Sequence, residues 1–154
     1  MLAASQVSKA PFGSSMAYDS QVKYAVLFGG LVGSKYENTT SKLVSGGWKQ
    51  LHPKTSPPGR FNASMTYDAK DGYIVLFGGA DKSGSLNDTW IFSNGNWSQL
   101  FPKTSPSARW DASMTYDAND GYVVLFGGEA PNPSFFVVFG DTWDFVQGDW
   151  TQVA

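Results

Sequence analysis

Short apolar runs alternate with turn-forming residues along the whole chain, and no stretch keeps a helical period. The middle of the chain carries the pattern most clearly. Asn62 to Tyr67 predicts a first strand, and Asp68 to Gly72 a turn, because Asp and Gly tolerate the backbone angles a turn requires. Tyr73 to Phe77 is apolar at every position, which predicts a second strand covered on both faces. Gly78 and Gly79 end it. Asp88 to Phe92 predicts a third strand, Asn94-Gly95 a tight hairpin, and Asn96 to Leu100 a fourth strand.

This unit recurs. The tetrads beginning at Met16, Met65 and Met114 are spaced by 49 residues, as are the Val-Leu-Phe-Gly-Gly runs beginning at Val26, Val75 and Val124. Trp48 and Trp97 keep the same step, whereas Trp150 follows 53 residues after Trp97. The extra four residues fall between Gly128 and Trp143, a segment containing the apolar run Phe135 to Phe139. From Arg60 to Gly79, 16 of 20 positions match Arg109 to Gly128. The chain therefore divides into units of about 1–50, 51–99 and 100–154 within one domain. Four-stranded sheets, apolar on both faces and repeated at this interval, are the blades of an all-β propeller.

Composition removes several functions. The net charge is −2, so no basic field exists to hold a nucleic-acid backbone. No run of about 20 apolar residues offers a membrane span. The absence of cysteine excludes disulfides, thiolate nucleophiles and Cys-ligated metals. No signal peptide is visible at the start, although a trimmed mature form would look the same. A trimmed form would point to an extracellular or cell-surface setting. Four sequons, at Asn38, Asn62, Asn87 and Asn96, matter only in that setting.

The Gly-Gly pair after an apolar strand, the Trp on strand three (Trp90, Trp143) and the Trp on strand four (Trp97, Trp150) resemble kelch repeats over nearly the whole chain. Unit one departs, with Ser41 in place of the strand-three Trp and Pro11 in place of Arg60 and Arg109. The resemblance implies a kelch-type propeller with strand one innermost. It also implies that residues at the start of strand one line the channel mouth.

Three blades are too few for a ring of the usual four to eight. Leu2 falls in phase with Leu51 and Leu100, and Val153 falls at that phase again, so the chain ends where it begins in repeat phase. The expectation is a homodimer closing a six-bladed ring by two-fold symmetry. The alternatives are a fragment excised from a longer propeller and an engineered fragment with no ligand of its own.

Strand parity places residues 1–13, 31–38, 51–61, 80–87, 100–110 and 129–140 on one face, which carries the longer loops and is the expected binding face. Arg60 and Arg109, the only arginines, sit just before strand one. Phe61 and Trp110 follow them, then Asn62 and Asp111. A guanidinium fork suits carboxylates. A ring beside an amide or carboxylate suits a peptide or a sugar. The competing reading has the arginines paired with acids such as Asp111, holding blades in register. The apolar insert reads as structure, either an early start to strand three or a fold over the ring, ahead of a partner contact.

Catalytic chemistry is sparse. His52 is the only histidine, and unit two has Phe101 at that position. The copper site of some kelch-type oxidases needs a Cys and several His, and a sialidase-like site needs more Arg and Glu. The acids of the turns, Asp68, Asp71, Asp117 and Asp120, read as local caps, and Asp88 and Asp141 as fixing loops. The sequence thus predicts a non-catalytic protein- or peptide-binding scaffold, with no cofactor and no metal, and a carbohydrate-binding propeller as the alternative.

Overall fold

A computed structural model describes residues 11–153. Leu2 and residues 1–10 of the first long loop lie outside the described residues. Unit one runs β1 (Ser15–Asp19), β2 (Tyr24–Phe28), a small hairpin of β3 (Leu31–Val32) and β4 (Lys35–Tyr36), then β5 (Thr40–Val44) and β6 (Gly47–Leu51). Unit two runs β7 (Ser64–Asp68), β8 (Tyr73–Phe77), the hairpin β9 (Ala80–Asp81) and β10 (Gly84–Ser85), β11 (Thr89–Ser93) and β12 (Asn96–Leu100). Unit three repeats the order with β13 (Ser113–Asp117), β14 (Tyr122–Phe126), β15 (Glu129–Pro131), β16 (Phe136–Val138), β17 (Thr142–Val146) and β18 (Asp149–Gln152). Three four-stranded antiparallel sheets result, and no helix occurs among the described residues. They are three blades of a propeller-like array.

Two details differ from the sequence reading. Strand one of unit two begins at Ser64, not Asn62, because Asn62 holds a left-handed φ of 53° that a strand cannot contain. The loops between strands two and three are not plain loops, since each folds into its own hairpin. The insert therefore forms β16 of such a hairpin and is not the start of strand three.

Burial follows from the blade sequence. Met65, Ile74, Leu76, Trp90, Phe92 and Trp97 cover one face of blade two and pack on Ala17, Val26 and Phe28 of blade one. Val75 and Phe77 cover the opposite face and pack on Val123, Leu125, Trp143, Phe145 and Trp150 of blade three. Each large side chain removed from water in these layers contributes about 1.5–3 kcal/mol. The strand-four Trp adds a polar link: Trp97 Nε1 donates to Thr40 Oγ1 of the preceding blade at 2.9 Å, and Trp150 Nε1 to Thr89 Oγ1 at 3.0 Å.

The inner strands β1, β7 and β13 lie side by side. Ser15 Oγ donates to the Ala63 carbonyl and Ser64 Oγ to the Ala112 carbonyl, each at 2.6 Å. The Gly-Gly pair has a physical reason in this arrangement. A Cβ on Gly29 or Gly78 would stand 2.6 or 2.5 Å from the carbonyl oxygen of Arg60 or Arg109 in the next blade. The following glycines, Gly30 and Gly79, donate their N–H groups to those same carbonyls. The pair is a neck where one blade's backbone meets the next, too close for a side chain.

Candidate functional site

The long-loop face is assembled from the segment leading into each inner strand. Phe12, Phe61 and Trp110 occupy one repeat phase and bridge Leu31, Ala80 and Glu129 of their own blade's hairpin. The next residue must turn the chain into the inner strand, and it does so at a left-handed φ of 66° at Gly13 and 53° at both Asn62 and Asp111. Gly, Asn and Asp are the residues that adopt this conformation most readily. Asn62 N donates to the Gly13 carbonyl and Asp111 N to the Asn62 carbonyl, so the three turns are stitched across the blades.

The side chains of these segments form a continuous aromatic row. Phe12 and Phe61 have ring centroids 6.3 Å apart, Phe61 and Trp110 5.6 Å, and Trp110 and Phe136 6.1 Å. Tyr36 flanks Phe61 at 5.9 Å. Phe12 and Phe136 are exposed, and Phe61, Tyr36 and Trp110 are half-buried. Polar groups border the row. Asn62 Nδ2 donates to Asp111 Oδ2 at 3.0 Å, and Trp110 Nε1 donates to Glu129 Oε1 at 2.9 Å. Partial burial, then the nearby charge of Glu129, raises the pKa of the Asp111 carboxyl above its ordinary value. Asp111 and Glu129 share an open recess with Gly128 and Val138.

The arginines lie beneath this surface. Arg60 and Arg109 are each 1 % exposed. Arg60 Nε donates to the Pro58 carbonyl, Nη1 to the Gly78 carbonyl and Asp88 Oδ1, and Nη2 to Asp88 Oδ2 at 2.8 Å. Arg109 repeats the set with Ser107, Gly127 and both oxygens of Asp141, and Phe139 stacks 3.9 Å from its guanidinium. Trp90 Nε1 donates to Asp88 and Trp143 Nε1 to Asp141. The Arg109 guanidinium holds the Asp141 carboxyl below its usual range, and Arg60 does the same for Asp88 against the opposing effect of burial. The acid that pairs with Arg109 is thus Asp141, not Asp111, which binds Asn62 instead.

No protein-family model and no curated protein matches the sequence. The likeness to kelch repeats rests on the repeated residues alone.

Six residues were singled out from the sequence, and they separate into two layers. Phe61, Trp110, Asn62 and Asp111 come together at the surface. Arg60 and Arg109 stand below it with their donors engaged inside the chain. Phe12, Tyr36 and Glu129 complete the surface and were missed, and Phe136 joins them from the apolar insert that the sequence read as structure ahead of a partner contact. Phe12 had a readable signal, since it lies 49 residues before Phe61. The Arg-Asp-Trp clasp had one as well: its three positions in unit one hold Pro11, Thr39 and Ser41, so all three members are absent together. His52 is exposed in the loop after β6. Among the described residues, no group of three or more His, Cys, Asp or Glu is arranged to hold a metal.

Proposed function

We propose that this chain is a non-catalytic binding module of kelch type, half of a six-bladed ring, that holds a protein or peptide segment along its aromatic row. The row is the observation that carries the reading. Phe12, Phe61, Trp110 and Phe136 form one line of rings on the face with the longer loops, and clustered surface aromatics of this kind mark interaction sites. Rings give contact area at small entropic cost, and Asn62, Asp111 and Glu129 supply hydrogen bonds that fix an orientation. A second reading, binding of a carbohydrate, draws support from Trp110 specifically. Its Nε1 donates to Glu129 Oε1 and Asp111 follows it in the chain, so a flat apolar ring lies next to acceptors that suit hydroxyl groups.

The test is a peptide panel and a glycan array probed with the wild-type chain and with Trp110→Ala. Binding to a peptide that falls at least tenfold in the variant, with an unchanged melting temperature, supports the proposal. Glycan binding lost in the same variant, with the peptides silent, supports the second reading. Ligand binding that survives both Trp110→Ala and Phe61→Ala refutes the aromatic row as the site.

A further inference from the structure

We infer that a second copy of this chain docks head to tail, with blade three of one copy against blade one of the other, in the register that the internal blade interfaces already use. The inference rests on the pairing in the proposed function and specifies its seam. Each outer position has two internal counterparts that show what belongs there.

Phe28 and Phe77 are 1 % exposed, because each meets the strand-four Trp of the next blade, with centroids 5.0 and 5.2 Å apart. Phe126, their counterpart on blade three, is 53 % exposed. Trp48, the counterpart of the fully covered Trp97 and Trp150, is only half-buried. Phe126 against the partner's Trp48 supplies each with the neighbour its equivalents have. The same register brings the partner's Trp48 Nε1 to Thr142 Oγ1, repeating the Trp97–Thr40 and Trp150–Thr89 bonds.

The loop face agrees. Tyr36 covers Phe61 of the next blade, and its repeat position in unit three is Val138, paired with Glu129 as Tyr36 is with Leu31. Val138 is 76 % exposed and Phe12, the counterpart of Phe61, is 68 % exposed. Head-to-tail docking sets Val138 against the partner's Phe12 and joins the two aromatic rows. At the neck, a Cβ on Gly127 would meet no atom closer than 3.4 Å, whereas Gly29 and Gly78 are already crowded by the next blade's carbonyl. The partner's Pro11 carbonyl fills that space.

Charge selects the same partner at the opposite face. Gln21 lies against Gly72 of the next blade, and Lys70 against Gly121. The corresponding seam pair is Asn119 with the partner's Lys23, which replaces glycine at a φ of 59°. Asn119 sits between Asp117 and Asp120, and Asp144 feels both of those charges. The one unit that carries a lysine at this position is the one that the docking turns toward an acidic edge.

Because the chain has no cysteine, the register can be read by cross-linking. Lys23→Cys and Asn119→Cys are both exposed positions. The single variants, their equal mixture and the double variant are treated with a short bismaleimide at micromolar concentration, and wild type is sedimented in parallel. The expected results are a wild-type species of twice 16.7 kDa, cross-linked pairs in the mixture and the double variant, and none in either single variant. Self-cross-linking of a single variant means like faces pair, and a ladder of higher species means an open array; either overturns the closed head-to-tail ring. A wild-type dimer with no cross-link in the mixture overturns the register and leaves pairing intact. A wild-type monomer overturns both, without touching the ligand row, which Trp110→Ala tests separately.

Discussion

Replacing Arg60 with alanine tests whether the arginines are structural clasps. The wild-type guanidinium is 1 % exposed and makes two bonds to Asp88, one to Gly78 and one to Pro58. Removing one partner of a buried ion pair costs about 3–5 kcal/mol, because the other charge is left unpaired. The Asp88 side chain is 21 % exposed, so water reaches it, and Trp90 Nε1 still donates to it. The loss therefore falls at the lower end, about 3 kcal/mol. With a urea dependence of about 2 kcal/mol per molar, the unfolding midpoint drops by about 1.5 M. Arg109→Ala costs at least as much, since its guanidinium also stacks on Phe139. A double-mutant cycle with Asp88→Asn should return a coupling of at least about 1 kcal/mol. The assay is urea unfolding followed by Trp fluorescence. A loss below about 1 kcal/mol, or zero coupling, refutes the clasp. Loss of ligand binding with stability intact would return the arginines to the binding site.

Two further predictions use the same repeats. Asp88 and Asp141 have lowered pKa values, so the folded state binds their protons less tightly than the unfolded state does. Their stabilisation is complete above the ordinary carboxylate range and is lost as pH falls through the lower folded values. Urea midpoints should therefore decline below about pH 4, and Asp88→Asn combined with Asp141→Asn should flatten that decline. Phe77→Ala should cost about 3–5 kcal/mol, the range for emptying a packed core site. Phe126→Ala should cost the isolated chain far less and should instead weaken self-association, as read by sedimentation.

Most of the fold was legible because it is written three times. A strand apolar at every position, as at Tyr73 to Phe77, needs cover on both faces, and in a chain with no helical period stacked sheets provide it. The small hairpins were not legible, since strands of two or three residues carry no periodicity. Their bridges to Phe12, Phe61 and Trp110 depend on where the neck brings the chain back. That the arginines pair with acids was one reading of the sequence, but which acids escaped for a related reason. Arg60 and Asp88 are 28 residues apart, and nothing local joins them. What does join them in the sequence is shared absence, since unit one lacks both along with the Trp. Asn62 and Asp111 were read for their side-chain chemistry, but their backbone angle is a second and sufficient reason for their identity.

The first blade shows how the proposed seam would differ from the internal interfaces. Its outward face carries Ala25, Ser41 and Leu43 where blade two presents Ile74, Trp90 and Phe92. Each change leaves less apolar surface to cover, and the Ser41 change alone removes an indole. At about 25 cal/mol per Å² of apolar surface, losing most of one Trp contact and part of a Phe contact weakens the seam by several kcal/mol relative to an internal interface. The seam also lacks one backbone bond. Arg60 and Arg109 donate their N–H groups to Glu37 and Leu86 of the preceding blade, and Pro11 has no N–H to give. The proposed ring should therefore open at its two seams before any blade unfolds. Denaturant titration should show an early step that moves to higher urea as protein concentration rises, followed by a second that does not. A single transition independent of concentration would mean that the two outer faces contribute nothing to one another.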